Sequence, residues 1–249
     1  MKKYPSILKG RYMLNKNLFT ESRAYYFAIA VLFLLNVSIL LPPFLIFAGF
    51  EQAGAALYNL HNYDHQWIYR SECIMKDSKG VYSYEDCIVQ GKESDAKIFT
   101  LYTTNGDPRY TNISFSDYKQ GQIGRNKAEK VERNGKIGYK FANDTRDYAI
   151  YIPWFLIMLV YPFVFGKNDT RKQAGIWFIF ALIPMGIDGT SQLLAGIFNN
   201  SSYYWLSSFG LKESTNLIRW ITGAIAGIAA GYYTVPILNK IGSGNKNTK

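Results

Sequence analysis

His61 and His65 are the chain's only histidines, and they stand four residues apart. On a helix that spacing puts both imidazoles on one face, as in metal-binding histidine pairs. Asp64 lies between them, and Asp144 and Asp147 flank Arg146 much further along. Imidazole nitrogens with carboxylate oxygens suit a divalent cation such as zinc. His61, Asp64, His65, Asp144 and Asp147 are therefore the candidate metal ligands, with a divalent metal as the candidate cofactor. The competing reading is plainer: histidines and carboxylates that only solvate a membrane edge. An overlapping outer-surface set, His65, Gln66, Arg70, Arg146 and Asp147, forms a candidate polar site whether or not a metal is held.

A second constellation lies inside apolar sequence. Asp188 interrupts a long apolar run, and Gln192 follows one helical turn later, on the same face. An ionisable group in such a run is costly and normally faces a partner or water. Arg219, near the start of the next apolar run, is the expected counter-ion, with Asn216 on its face. Asp188, Gln192, Asn216 and Arg219 form the candidate intramembrane polar site, for an ion, a proton or a headgroup. The alternative is a buried pair that only fixes helix register.

These residues need elements to hold them, and hydropathy supplies the frame. The chain has 249 residues, 48% hydrophobic and 18% charged, with a mean hydropathy of -0.09. That near-zero mean hides four apolar blocks, at about residues 25–50, 148–166, 175–198 and 215–238. Each approaches or exceeds the roughly 17–25 residues that cross a hydrocarbon core. The sequence therefore does not read as an ordinary soluble enzyme. Its net charge of +10 is also uneven. Residues 1–24 carry Lys2, Lys3, Lys9, Arg11, Lys16 and Arg23 against Glu21. The stretch 51–147 balances its charges, and further excess basic residues lie in 167–174 and the tail after 238. Lys and Arg accumulate in cytoplasmic loops. This places both termini in the cytoplasm of a multi-pass protein of the cell membrane, with 51–147 and 199–214 outside. The lipid bilayer is the expected partner. A nucleic-acid partner is not, because the basic residues flank spans.

The predicted organisation is a basic cytoplasmic N-terminus at 1–24, read as part of a retained signal anchor, and a first span at 25–50. An external segment at 51–147 follows, with a β module at about 66–142, then a three-helix region at 148–238 and a cytoplasmic tail at 239–249. Pro42-Pro43 predicts a kink in the first span. Gly223, Gly227 and Gly231 recur every fourth residue in the last span, a spacing that lets helix backbones approach closely. In the external segment, short β-prone runs are bounded by turn residues, and Asn134-Gly135 is a hairpin signal. Cys73 and Cys87, the only cysteines, both fall there. A disulfide is the favoured reading in an oxidising compartment. Paired metal thiolates are the alternative, although their spacing matches no compact zinc pattern. Sequons at Asn112, Asn143, Asn199 and Asn200 fall outside in this topology, and one at Asn168 inside.

The run Pro184-Met-Gly-Ile-Asp188-Gly-Thr-Ser-Gln192, followed by Asn216-Leu-Ile-Arg219-Trp-Ile-Thr222-Gly223, resembles the C-terminal signature of an uncharacterised membrane-protein family, domain of unknown function 2085. That family's Cys-His-Gln-x3-Arg-Ser motif resembles Asp64-His65-Gln66-x3-Arg70-Ser71. Its Cys-Ala-Arg motif resembles Asp144-Thr-Arg146-Asp147. Both family cysteines correspond to aspartates here, and the β module separates motifs that are usually close. The resemblance implies a thiolate metal site or redox pair in the family, turned here into a harder oxygen site or lost.

The expected fold is thus an α-helical integral membrane protein with four transmembrane helices and an inserted small β-rich external module. Three functions fit it. The first is an outward polar or metal-binding site. The second is a non-catalytic accessory subunit or surface interaction module, with a membrane-complex partner or a second copy. The third is a small-ion or solute transporter. No nucleophilic triad or phosphate-binding loop marks a catalytic residue.

Overall fold

The computed structural model describes residues 23–61, 68–89, 95–104, 107–113, 128–166, 169, 175–197 and 214–244. Helix α1 (Arg23–Leu40) is followed by short α2 (Pro42–Phe47) and α3 (Glu51–His61). A 3₁₀ turn at Ile68–Arg70 leads into six strands: β1 (Glu72–Lys76), β2 (Tyr82–Asp86), β3 (Ala96–Thr104), β4 (Asp107–Ile113), β5 (Ala128–Arg133) and β6 (Lys136–Lys140). Three long helices close the described chain: α4 (Thr145–Phe165), α5 (Gly175–Ile197) and α6 (Asn216–Gly244).

Four helices, α1, α4, α5 and α6, are long and apolar enough to cross a membrane. They are also little buried against the rest of the protein, and side chains such as Phe27, Leu34, Trp177 and Leu193 lie mostly exposed. In water such a surface would be unstable; against lipid it costs nothing. The first span is shorter than its apolar run. The helix stops at Leu40 instead of kinking on to 50, because Pro42 and Pro43 lack the amide hydrogens that would continue it. The chain restarts as α2, which packs with α3 against β6 through Ile46, Ala55, Tyr58, Tyr139 and Ala142.

Helix α4 carries Pro153 and Pro162 in its interior. Pro162 cannot donate to the carbonyl of Met158, one turn back. The Tyr25 hydroxyl of α1 fills that vacancy, donating to Met158 O at 2.7 Å. The partnership joins the two helices through a polar contact, and Leu32, Tyr161 and Val235 pack around it.

Helices α4 and α6 run parallel and unusually close. A Cβ on Gly223 would lie 2.9 Å from both Ala149 Cβ and the Arg146 carbonyl oxygen. One on Gly231 would lie 2.7 Å from Ile157 Cβ, and one on Gly227 would run into the Ile150 backbone. The small-residue stripe is therefore a packing surface for α4.

The sheet is antiparallel throughout, in the order β2-β1-β6-β5-β3-β4. Asn134 and Gly135 both take positive φ, 51° and 73°, which closes the β5–β6 hairpin as its sequence predicts. One face of the sheet rests on the helices, where Phe141, Ile74 and Tyr148 pack with Ile39 and Trp220. The opposite face carries its own core of Ile68, Cys73, Met75, Cys87, Ile88, Ile98 and Val131. Cys73 and Cys87 are joined in a disulfide inside that core, with Cα atoms 4.9 Å apart. In the chain-entropy description a loop of this size contributes about 3 kcal/mol.

Candidate polar site at the module–helix junction

The N-termini of α4 and α6, the C-terminal half of α5 and the sheet meet at one end of the bundle. Asp144 is the N-cap of α4: its Oδ1 accepts from the Arg146 amide at 3.0 Å and the Asp147 amide at 3.3 Å. The cap fixes the first turn and so the direction in which Arg146 leaves it. Arg146 reaches α5 and pairs with Asp188 through Nη2. Asp188 is 3% exposed, and Arg146, at 18%, is the more open partner.

The cluster continues into α6. Gln192 Nε2 donates to Asp188 Oδ1 at 3.0 Å and to the Ser214 hydroxyl. Gln192 Oε1 accepts from Arg219 Nη2 at 2.9 Å. Arg219 is 1% exposed and its Nη1 lies 3.7 Å from Asp144 Oδ2. Two guanidiniums and two carboxylates thus alternate across three helices. A buried charge without such partners would be prohibitively unstable. Asn216 ties the cluster to the sheet, donating to Asp86 Oδ1 at 2.9 Å and to the Ser71 carbonyl at 3.3 Å.

The geometry changes one pairing expected from sequence. Arg219, at the start of the next apolar run, is the counter-ion the sequence suggests, but the ion-pair partner of Asp188 is Arg146; Arg219 faces Asp144 and Gln192. Arg146, expected in the outer-surface set, instead contacts Asp188 of the second set. Asp147 turns the other way, where Asn143 Nδ2 donates to it at 3.3 Å. Arg70 ends the 3₁₀ turn beside Ser71. Asp64, His65 and Gln66 lie outside the described residues.

Of the candidate metal ligands, His61 ends α3 with its Nε2 2.9 Å from the Ser38 hydroxyl of α1. Asp144 and Asp147 are engaged as described above. Among the described residues no three His, Cys, Asp or Glu side chains are grouped to hold a metal. The sequon at Asn143 is a poor acceptor as folded, since that side chain is 9% exposed and bonded to Asp147.

Glu72 and Lys140 are among the buried polar groups that the sequence does not reveal. Glu72 accepts hydrogen bonds from both Tyr84 and Tyr148, and Tyr148 also lies 3.1 Å from the Thr145 hydroxyl. Burial pushes the Glu72 carboxyl above its usual range, against the lowering effect of these donors. Lys140, on β6, is fully buried near Glu129 and Asp144; burial lowers its ammonium to about 8, although both carboxylates pull the other way. Both residues sit in short alternating strands, where charged residues read as a solvated face. Only the strand register shows that the face is covered.

The cluster draws on the same stretches that carry the sequence resemblance. An uncharacterized protein of Methanocaldococcus jannaschii is 39% identical over 102 residues, which is 41% of this chain and 55% of that protein. The chain thus spans about half the length of the curated relative it matches. No solved structure matches. The Asp64-to-Ser71 motif precedes the family match, which begins at residue 133. The resemblance seen in the motifs is shown from there onward: residues 133–233, from the end of β5 through most of α6, match the family described as "Predicted membrane protein (DUF2085)".

Proposed function

We propose that this is a multi-pass membrane protein whose junction cluster of Arg146, Asp188, Gln192, Asn216, Arg219 and Asp144 is an outward-facing site for a small polar ligand. The observation that carries the reading is the convergence of polar side chains from α4, α5 and α6, remote in sequence, on one charge-balanced cluster with two partly open members, Arg146 at 18% and Asp144 at 21%. An anionic ligand would take Arg146 from Asp188 and leave Gln192 to hold the carboxylate. The orientation proposed rests on the basic residues of the N-terminus, the 167–174 loop and the tail, which in sequence adjoin the helix ends remote from the sheet. The site then faces outward, beneath the β module, in the cell membrane.

A second reading is favoured by Asn216, which spends its donor on the sheet. In it the cluster is a brace that holds the module on the bundle, and the module serves as the interaction surface of an accessory subunit. One experiment separates the two. The full chain in lipid nanodiscs is titrated with inorganic phosphate and, separately, with zinc, reading the shift in thermal unfolding for wild type and Arg146→Ala. A ligand site predicts a phosphate-dependent upward shift that Arg146→Ala loses while remaining folded. A brace predicts no shift with either probe and a lower midpoint in the variant. A shift with zinc alone would favour the metal reading of His61, Asp64, His65, Asp144 and Asp147.

A further inference from the structure

The sheet overhangs the bundle at its β2 edge. In β1, Glu72, Ile74 and Lys76 share the helix-facing side, and their register partners in β2 are Asp86, Tyr84 and Tyr82. At the inner positions this face is covered: Glu72 meets Tyr148, and Ile74 packs beside Ile39 and Phe141. Further out the cover thins: Tyr84 turns its hydroxyl in to Glu72, 3.4 Å from that of Tyr148, and leaves its ring edge outside. Tyr82 and Tyr84 point to the same side yet remain 52% and 50% exposed. Tyr82 meets only the rim of the helical layer, stacking edge-on against Phe47 of α2 with ring centroids 5.3 Å apart. The Lys76 ammonium sits 5.3 Å from the Tyr82 centroid and 5.9 Å from that of Phe47. Along the chain from Phe47 towards α1, Phe44 at 51% and Leu41 at 37% are also exposed, and both line a shallow apolar groove with Phe33 and Val37 of α1.

We propose that this overhang, Lys76, Tyr82 and Tyr84 with Phe47 and Phe50, beds in the phospholipid headgroup layer. The occupant follows from continuity. The uncovered side faces the same way as the bundle and joins the surface α1 gives to lipid, so the bilayer in which the spans stand is what lies beneath it. The chemistry is that of an interfacial belt: half-exposed aromatic rings, the Tyr82 phenol with its apolar body and polar tip among them, and a lysine ammonium held over two of those rings where a lipid phosphate can meet it. Burial of the rings there also explains how an edge strand can carry exposed aromatics without inviting strand pairing. The inference needs the spans to cross the membrane and does not depend on the junction cluster being a ligand site.

The test uses neighbours on β2. Tyr82→Cys and Ser83→Cys place nitroxide labels on opposite faces of one strand in the otherwise native chain, whose own cysteines are joined and buried. The protein is reconstituted in nanodiscs of phosphatidylcholine and phosphatidylglycerol, and collision with oxygen is compared with collision with a water-soluble nickel chelate. The expected result is a label at 82 open to oxygen and screened from nickel, with the reverse at 83. Phe50→Cys, at a position already 63% exposed, carries the test should Tyr82→Cys fail to fold. Nickel access at 82 and 50 equal to that at 83 overturns the proposal. So does screening from both reagents, which would mean that protein, a second copy or another chain, covers the overhang.

Discussion

Replacing Gly227 by alanine adds one methyl group and should unfasten the two closest helices of the bundle. The new Cβ would fall 3.0 Å from the Ile150 carbonyl carbon and 3.1 Å from its Cα, and closer still to its oxygen. Ordinary contact for such pairs is about 3.5–4.0 Å. The obstruction is backbone, so no rotamer change relieves it, and α6 must move away from α4 by roughly the missing distance. Overpacking of this kind costs about 1–3 kcal/mol, and the rigid obstacle puts Gly227→Ala toward the upper end. Gly186, on α5, is the internal control, because a Cβ there meets nothing within 4 Å. Gly186→Ala should gain up to about 1 kcal/mol, from the conformational freedom that a helical glycine forfeits. The same chemical change thus carries opposite signs at two positions. Both can be read from the unfolding midpoint in mixed micelles of rising sodium dodecyl sulfate content. The reasoning fails if Gly227→Ala unfolds at or above the wild-type midpoint, or if both substitutions lower it equally.

Tyr25→Phe should cost about 1 kcal/mol, since it leaves Met158 O opposite Pro162 without its donor; the same micelle titration reads it, and an unchanged midpoint would mean the freed carbonyl finds another donor. Lys140 gives a pH dependence. Its folded-state ionisation lies at about 8 against 10.5 when free, so below about 8 both states carry the proton and the burial penalty is present in full. Between about 8 and 10.5 the unfolded chain binds more protons than the folded one, and stability rises with pH. Lys140→Met should remove that rise, and coincident pH profiles for variant and wild type would refute the assignment.

The spans were legible because their apolar residues are contiguous, and contiguity survives projection onto a line. The β5–β6 turn was legible because Asn134-Gly135 is one of few pairs that accept positive φ at both positions. The intramembrane residues could be named from sequence, since a charge in an apolar run marks itself. Their pairing could not. Arg219 and Asp188 flank one loop and invite connection, yet the cap at Asp144 aims Arg146 across at Asp188 and leaves Arg219 to Gln192. Cap geometry and helix neighbours decided this, and neither is periodic. Apolarity continues through Phe47, so the sequence pattern suggests a kink at Pro42, not an end. What the pattern could not show is that this stretch packs on β6. Glu72 and Lys140 were hidden for a related reason: alternation tells which residues share a face, but not whether the face is wet.

The parallel packing of α4 on α6 also bears on how the protein is made. The two surfaces that fit most closely are not consecutive, since α5 is synthesised between them. While α4 enters the bilayer, the helix that will cover Ala149, Ile150 and Ile157 has not yet been translated. Arg146 meanwhile waits for Asp188, which arrives with α5, and Arg219 comes only with α6. A ribosome that stalls or a chain that ends after α5 would leave an insertion intermediate with its tightest seam open and its cap carboxylate facing no guanidinium from α6. Quality control in the membrane could read such a state directly, and assembly is complete only when the last span closes it.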